Sequence, residues 1–302
     1  LLSCAPELLA QPEYAPLMCR VWEETVLLAP EDVLHAFGMS VYGAMAPMVG
    51  HPNSPVIMEP IFAIDMHVRA LSTASLGAMA DIMRATHLDE AIFASLCRES
   101  DMYHVLQRCA ILVSRMALTM PPPMFHDMVR ATASWPDLCR RLISTSATLS
   151  HARSRKLVAL GLAHMLRHAS AQDKGLLSAV PDMIGMWTEV VGEVVEDEAG
   201  SADRYERELS PTRALEIGED GIPFLDEFGL IEAAPTPSSA RTDAVRSRDP
   251  SFNVPLRAYV ADTLNAVLQN GSYKTQLQSL LATIDPLVLD TLQRGLSERP
   301  VA

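Results

Sequence analysis

From residue 14 to residue 296, outside the stretch 193–249, the apolar side chains return at intervals of three and four almost throughout, with short breaks that carry Pro or polar residues. That is the period of an amphipathic α-helix, and no stretch shows the sustained alternation of a strand. In the stretch opened by Ser100 and Asp101, either able to act as an N-cap, Val105, Cys109, Leu112, Val113 and Met116 fall at offsets 0, 4, 7, 8 and 11. Pro121-Pro122-Pro123 then stops the pattern. The same reasoning predicts helices over 14–28, 31–49, 59–84, 88–99, 123–133, 136–149, 154–169 and 176–195. Beyond residue 250, Leu256, Val260, Leu264, Val267 and Leu268 form one further face, Gly271 breaks it, and two last helices follow over 273–284 and 286–296.

Short links between helices force chain neighbours to run antiparallel. Helices of about 12 to 20 residues in consecutive pairs match HEAT or armadillo units of roughly 40 to 47 residues. The expected fold is therefore an all-α, HEAT-repeat superhelix, a solenoid, with an ordinary globular helical bundle as the rival. Composition agrees: aromatics are 5% while Met numbers 16, which suits packed helices better than sheets rich in rings and β-branched residues. The Met residues of the early helices (Met39, Met45, Met48, Met58, Met66, Met79, Met83) read first as core filling and second as an adaptable binding surface.

One region departs from the rhythm. Between Glu193 and Glu232 stand thirteen acidic residues and three basic ones, Arg204, Arg207 and Arg213, a net of −10 out of the chain's −13. The stretch runs on through Pro235-Thr236-Pro237-Ser238-Ser239, too poor in apolar residues to offset the entropy of ordering. The expected organisation is thus repeats over 1–192, an acidic and largely disordered insertion over 193–249, docking through Phe224, Leu225, Phe228 and Leu230, and closing helices of the same solenoid over 250–302. Against it stands one positive cluster, Arg153, Arg155 and Lys156 at a helix start, with Arg140 and Arg141 a helix earlier. Arg153, Arg155 and Lys156 are candidates for protein binding or for latching the loop through Glu196, Asp197 and Glu198.

The charge argues against a nucleic-acid groove, which needs a concentrated basic footprint, and favours a basic protein partner. No apolar run reaches the roughly 18 residues of a membrane span, so no membrane insertion is expected. Five cysteines, odd in number and never spaced C-x-x-C, read as buried thiols. A chain that begins Leu1-Leu2-Ser3 is expected to be the tail of a longer protein.

Chemistry is hard to place. There is no Gly-rich phosphate loop, no G-x-S-x-G elbow and no H-E-x-x-H. His164 and His168 stand four apart without a carboxylate or thiol at a fitting offset, and read as surface or groove histidines. Glu23-Glu24 reads as a solvated face and Glu31-Asp32 as helix-start charge. The expectation is a binding protein with no catalytic, cofactor or metal site.

The segment Ser154-Arg155-Lys156-Leu157-Val158-Ala159-Leu160-Gly161-Leu162-Ala163-His164-Met165-Leu166 resembles a late repeat of importin-β superfamily receptors. The order of features after it is similar as well: a long helix with Trp187, an acidic loop with Tyr205, Asp249-Pro250 leading into Leu256 to Leu268, and Ile284-Asp285-Pro286-Leu287-Val288-Leu289 near the end. The chain resembles the C-terminal end of the importin-eleven branch of the karyopherins, most clearly over 151–296. The resemblance implies the cargo-side segment of a Ran-dependent nuclear import receptor that shuttles between cytoplasm and nucleus and visits the nuclear envelope. Its partners would be protein cargo, nucleoporins, and Ran-GTP bound through N-terminal repeats outside this chain. The alternative is a helical-repeat scaffold or adaptor of another complex.

Overall fold

The computed structural model describes residues 2–51, 54, 56–98, 102–173, 175–200, 241, 244–245, 248–270 and 273–297. Among them are fifteen α-helices and no strand. They are α1 (Ala5–Leu9), α2 (Ala15–Leu28), α3 (Pro30–Gly50), α4 (Met58–Ala70), α5 (Leu76–Ala85), α6 (Leu88–Cys97), α7 (Tyr103–Thr119), α8 (Pro122–Thr132), α9 (Trp135–Ser146), α10 (Ala152–Arg167) and α11 (Val180–Gly200). After the acidic stretch come α12 (Pro250–Asn253), α13 (Leu256–Gln269), α14 (Lys274–Leu281) and α15 (Pro286–Ser297). Pro occupies the first turn of α2, α3, α8 and α9, where its missing N–H and fixed φ suit a helix start. Ser134 caps α9, its Oγ accepting from the Asp137 amide at 3.3 Å.

The helices stack in two layers. In one, α2, α4, α7, α10 and α13 pack side by side in that order; in the other, α3, α6, α9, α11 and α15 do the same. Successive helices of the first layer begin at residues 15, 58, 103 and 152, steps of 43, 45 and 49. The chain is an all-α helical-repeat solenoid. Its middle units hold three helices where pairs were expected: the short α5 packs on α3 and α6, and the short α8 packs on α6 and α7.

The face predicted for α7 is its core face: Val105, Cys109, Leu112, Val113 and Met116 are all buried. Trp22, Trp187, Tyr42, Phe93 and Phe125 are among the largest fully buried side chains, and Trp187 Nε1 donates to the Ala159 carbonyl at 3.1 Å, tying α11 to α10. Met45, Met66, Met79 and Met83 fill the core, while Met39 is exposed. In its small-residue segment α10 lies close against α7. A Cβ on Gly161 would stand 2.8 Å from the Ser114 Cβ and 2.9 Å from its Cα, so only glycine lets α10 lie this near α7.

Several expectations are corrected. The helix expected over 59–84 breaks between α4 and α5. Leu71 turns extended at the C-cap, and the Glu31 carboxylate reaches from α3 to accept the Ser72 amide at 3.1 Å. The polar run Ser72-Thr73-Ala74-Ser75 forms the turn, with the Ser75 amide donating to the Ser72 carbonyl at 3.0 Å, a short signal that the apolar period on either side hides. The helix expected over 176–195 begins as a 3-10 turn (Leu177–Ala179), and α11 then continues to Gly200, inside the stretch expected to be unstructured. The rest of that expectation, with Tyr205, Phe224, Leu225, Phe228 and Leu230, lies outside the described residues, as do Ser100, Asp101 and Gly271. At 21 residues α3 is long and apolar enough by length and composition to cross a membrane, contrary to the sequence reading, although half of its apolar window is buried in the stack, as in a core helix. Cys19, Cys109 and Cys139 are buried as expected, but Cys4 is exposed. Glu23 is not on a solvated face: it is 6% exposed, turned into the α2–α4 seam.

Candidate functional site

Charged side chains on the first layer gather across α4, α7 and α10. On α4, Asp65 and Arg69 lie one turn apart and pair at 2.7 Å. On α7, Arg115 is 3% exposed and grips two carboxylates at once. One is Asp65; the other is Asp249, met by the Arg115 Nε at 2.9 Å and Nη2 at 2.8 Å. Arg69 Nε stands 3.7 Å from the same Asp249 oxygen. Asp249 also accepts from the Ser251 amide at 2.9 Å and hydroxyl at 2.7 Å, capping α12. Burial would raise the Asp249 pKa, but Arg115, Arg69 and the Ser251 bonds outweigh it and hold the carboxyl well below its usual range.

Where the chain returns from the acidic stretch, it is therefore pinned across the face of α4 and α7. Beside it lies a cavity of about 440 Å³ whose wall includes Val68, Leu71, Leu76 and Leu118 from the stack and Val245, Arg248 and Pro250 from the returning segment. Neither Arg69 nor Arg115 was singled out in the sequence. A signal existed: an Arg in the middle of an otherwise apolar helix is buried only if a carboxylate meets it.

The predicted cluster sits at the start of α10. Arg155 reaches α11, pairing with Glu189 at 3.1 Å and with Glu193, the first acidic residue of the insertion. Arg153 places its guanidinium 3.8 Å over the Phe252 ring of α12. Lys156 is 8% exposed. One turn of α10 thus contacts the chain on both sides of the acidic stretch. Glu196, Asp197 and Glu198 lie in the last turns of α11, and their side chains lie outside the described residues. Arg140 is not joined to this cluster; it points to solvent on α9 and pairs with Asp137 at 2.7 Å.

Two other polar groupings are structural. Asp173 accepts from the Trp135 indole at 3.2 Å, Arg130 at 3.2 Å and the Ser170 amide at 2.7 Å, and bonds His126 Nδ1 at 2.9 Å, joining α8 and α9 to the loop after α10. His164 and His168 have ring centroids 4.4 Å apart, and His164 Nδ1 meets the Tyr259 hydroxyl at 2.5 Å. Burial brings the His164 pKa down to about 4, holding that ring neutral. Among the described residues, no three His, Cys, Asp or Glu side chains converge as a metal site.

In comparison with known proteins, the family described as importin-11-like, TPR repeats matches residues 1–297. No curated protein and no solved structure matches. The observed steps of 43, 45 and 49 residues exceed the roughly 34 residues of a typical TPR and lie near the HEAT and armadillo period.

Proposed function

The chain belongs to the importin-11-like repeat family, and from that premise we propose that it is the cargo-side segment of a Ran-dependent nuclear import receptor, acting by protein binding and not by catalysis. The observation that carries this reading is the extent of the match, which takes in the repeats on both sides of the acidic stretch. A two-layered stack in which each unit touches only its neighbours can change curvature and offers a long surface to a partner. Release follows where cargo and Ran-GTP favour different curvatures.

The partners in this reading are protein cargo of basic character, nucleoporins, and Ran-GTP bound by repeats N-terminal to this chain. The protein would shuttle between cytoplasm and nucleus through the nuclear envelope. Arg153, Arg155 and Lys156 would hold the acidic stretch against α10 through Glu196, Asp197 and Glu198. Arg155 on Glu193 is the contact that supports such a latch. The test is a pull-down from nuclear extract with the full-length protein, with and without Ran-GTP. Cargo that dissociates on Ran-GTP addition supports the reading, and cargo retained unchanged overturns it.

A further inference from the structure

Although the chain carries a net charge of −13, the face of α4 and α7 holds one cation that no carboxylate pairs with among the described residues. Arg69 and Arg115 share Asp65 and Asp249, which uses both acids. Arg108, two turns before Arg115 on α7, is left over. It is half-buried, lies 4.5 Å over the Phe62 ring of α4, and has no carboxylate or hydrogen-bond partner among the described residues. Burial disfavours its charge most, Asp65 favours it, and Arg69 and Arg115 repel it.

An arginine held against a ring keeps its planar edge free to take a carboxylate through two N–H groups. Cation–π contact with Phe62 fixes the guanidinium plane without neutralising it. The face already accepts one carboxylate from a chain segment crossing it, that of Asp249. The remaining acid of α4, Glu59, acts on Cys19 and Glu23 of α2 and makes no ion pair with Arg108.

We propose that the Arg108–Phe62 patch on the outer face of α4 and α7 is a recognition site for an acidic segment of a partner protein. A partner carboxylate takes the Arg108 edge, and an apolar side chain next to it in the segment covers Phe62. This surface is opposite in sign to the one that the net charge suggests for cargo. It rests on the protein-binding reading but not on Ran, so its test leaves Ran out.

The experiment is fluorescence anisotropy with the 302-residue chain and a labelled peptide of Asp, Glu and Leu, beside a control peptide of Lys and Leu. Arg108→Gln should weaken the acidic peptide about tenfold or more, the loss expected for a charge-assisted pair. Arg108→Lys keeps the charge without the planar fork, guards against a folding defect, and should fall between the two. Arg140→Gln, on the exposed side of α9, should leave binding unchanged. Equal binding to the intact chain and the Arg108→Gln variant overturns the proposal, as does preference for the Lys peptide. Binding that appears only after residues 201–232 are deleted also overturns it, because the site then belongs to the chain's own acidic stretch.

Discussion

Replacing Arg115 by Met removes the cation that hydrogen-bonds both Asp65 and Asp249. The substitution keeps the volume and the helix propensity of α7, so its cost is electrostatic. Breaking a buried pair by deleting one partner costs about 3–5 kcal/mol, because the remaining charge stays buried. Arg69 still holds Asp65 at 2.7 Å and stands 3.7 Å from Asp249, so the lower end, about 3 kcal/mol, is expected. For a chain of this size that corresponds to a fall in Tm of roughly 5 °C. The loss should concentrate where Asp249 acts. Hydrogen exchange at the Ser251 amide, which Asp249 caps at 2.9 Å, should rise before that of α2 or α3.

The pH dependence gives a second measure. Asp249 titrates far below its ordinary 3.8 in the folded chain, so the stability it contributes is present above that value and is lost as pH falls through the depressed range. Arg115→Met should flatten this acid limb in urea midpoints measured from pH 6 downward. The combined Asp65→Asn, Arg69→Met, Arg115→Met and Asp249→Asn variant, in which no charge of the network is orphaned, should recover to within about 1 kcal/mol of the parent. A single Arg115→Met cost below about 1 kcal/mol, with Ser251 protection unchanged, would refute the claim that this ion network seats the returning segment.

Two further perturbations test the packing and the buried acids. Gly161→Ala should destabilise by about 1–3 kcal/mol because its Cβ would meet the Ser114 backbone at 2.9 Å, whereas Gly185→Ala, with nothing within 4 Å, should be neutral or gain up to about 1 kcal/mol. Equal effects in thermal melts would contradict the close crossing of α7 and α10. Glu23 is pushed by burial from 4.5 up to about 7, so the folded chain keeps a proton that the unfolded chain has lost, and stability falls as pH rises across that window. Glu23→Gln should therefore match the parent at pH 4.5 and exceed it by up to about 3 kcal/mol at pH 8, read from urea midpoints.

Much of the stack was legible because helical period depends on local spacing alone. The face of α7, the starts of α2, α8 and α9 at Pro, and the closing helices α13 to α15 follow from residues a few positions apart. The break between α4 and α5 is hidden by the apolar period on both sides of the Ser72–Ser75 turn, and the Glu31 carboxylate that accepts the Ser72 amide comes from 41 residues away. The placement of Glu23 was misread for a similar reason: two adjacent glutamates look solvated until a neighbouring helix covers one of them. Of the candidate site, the basic turn at Arg153, Arg155 and Lys156 stood out as a run, while Arg69, Arg108 and Arg115 are single letters in apolar helices and form a group only when α4 and α7 lie side by side.

The sequence alone determined that this chain forms helices, where most of them start, that they pair through short links, and that its negative charge is concentrated between Glu193 and Glu232. Those properties depend on backbone preference and on residues within one or two turns. Tertiary structure decided which helix lies beside which, that Gly161 seats against Ser114, and that Arg115 meets Asp65 and Asp249, respectively 50 and 134 residues away along the chain. A helical period says which side of a helix is apolar and nothing about what will cover it, so the partner of a buried charge appears only when the layers are assembled.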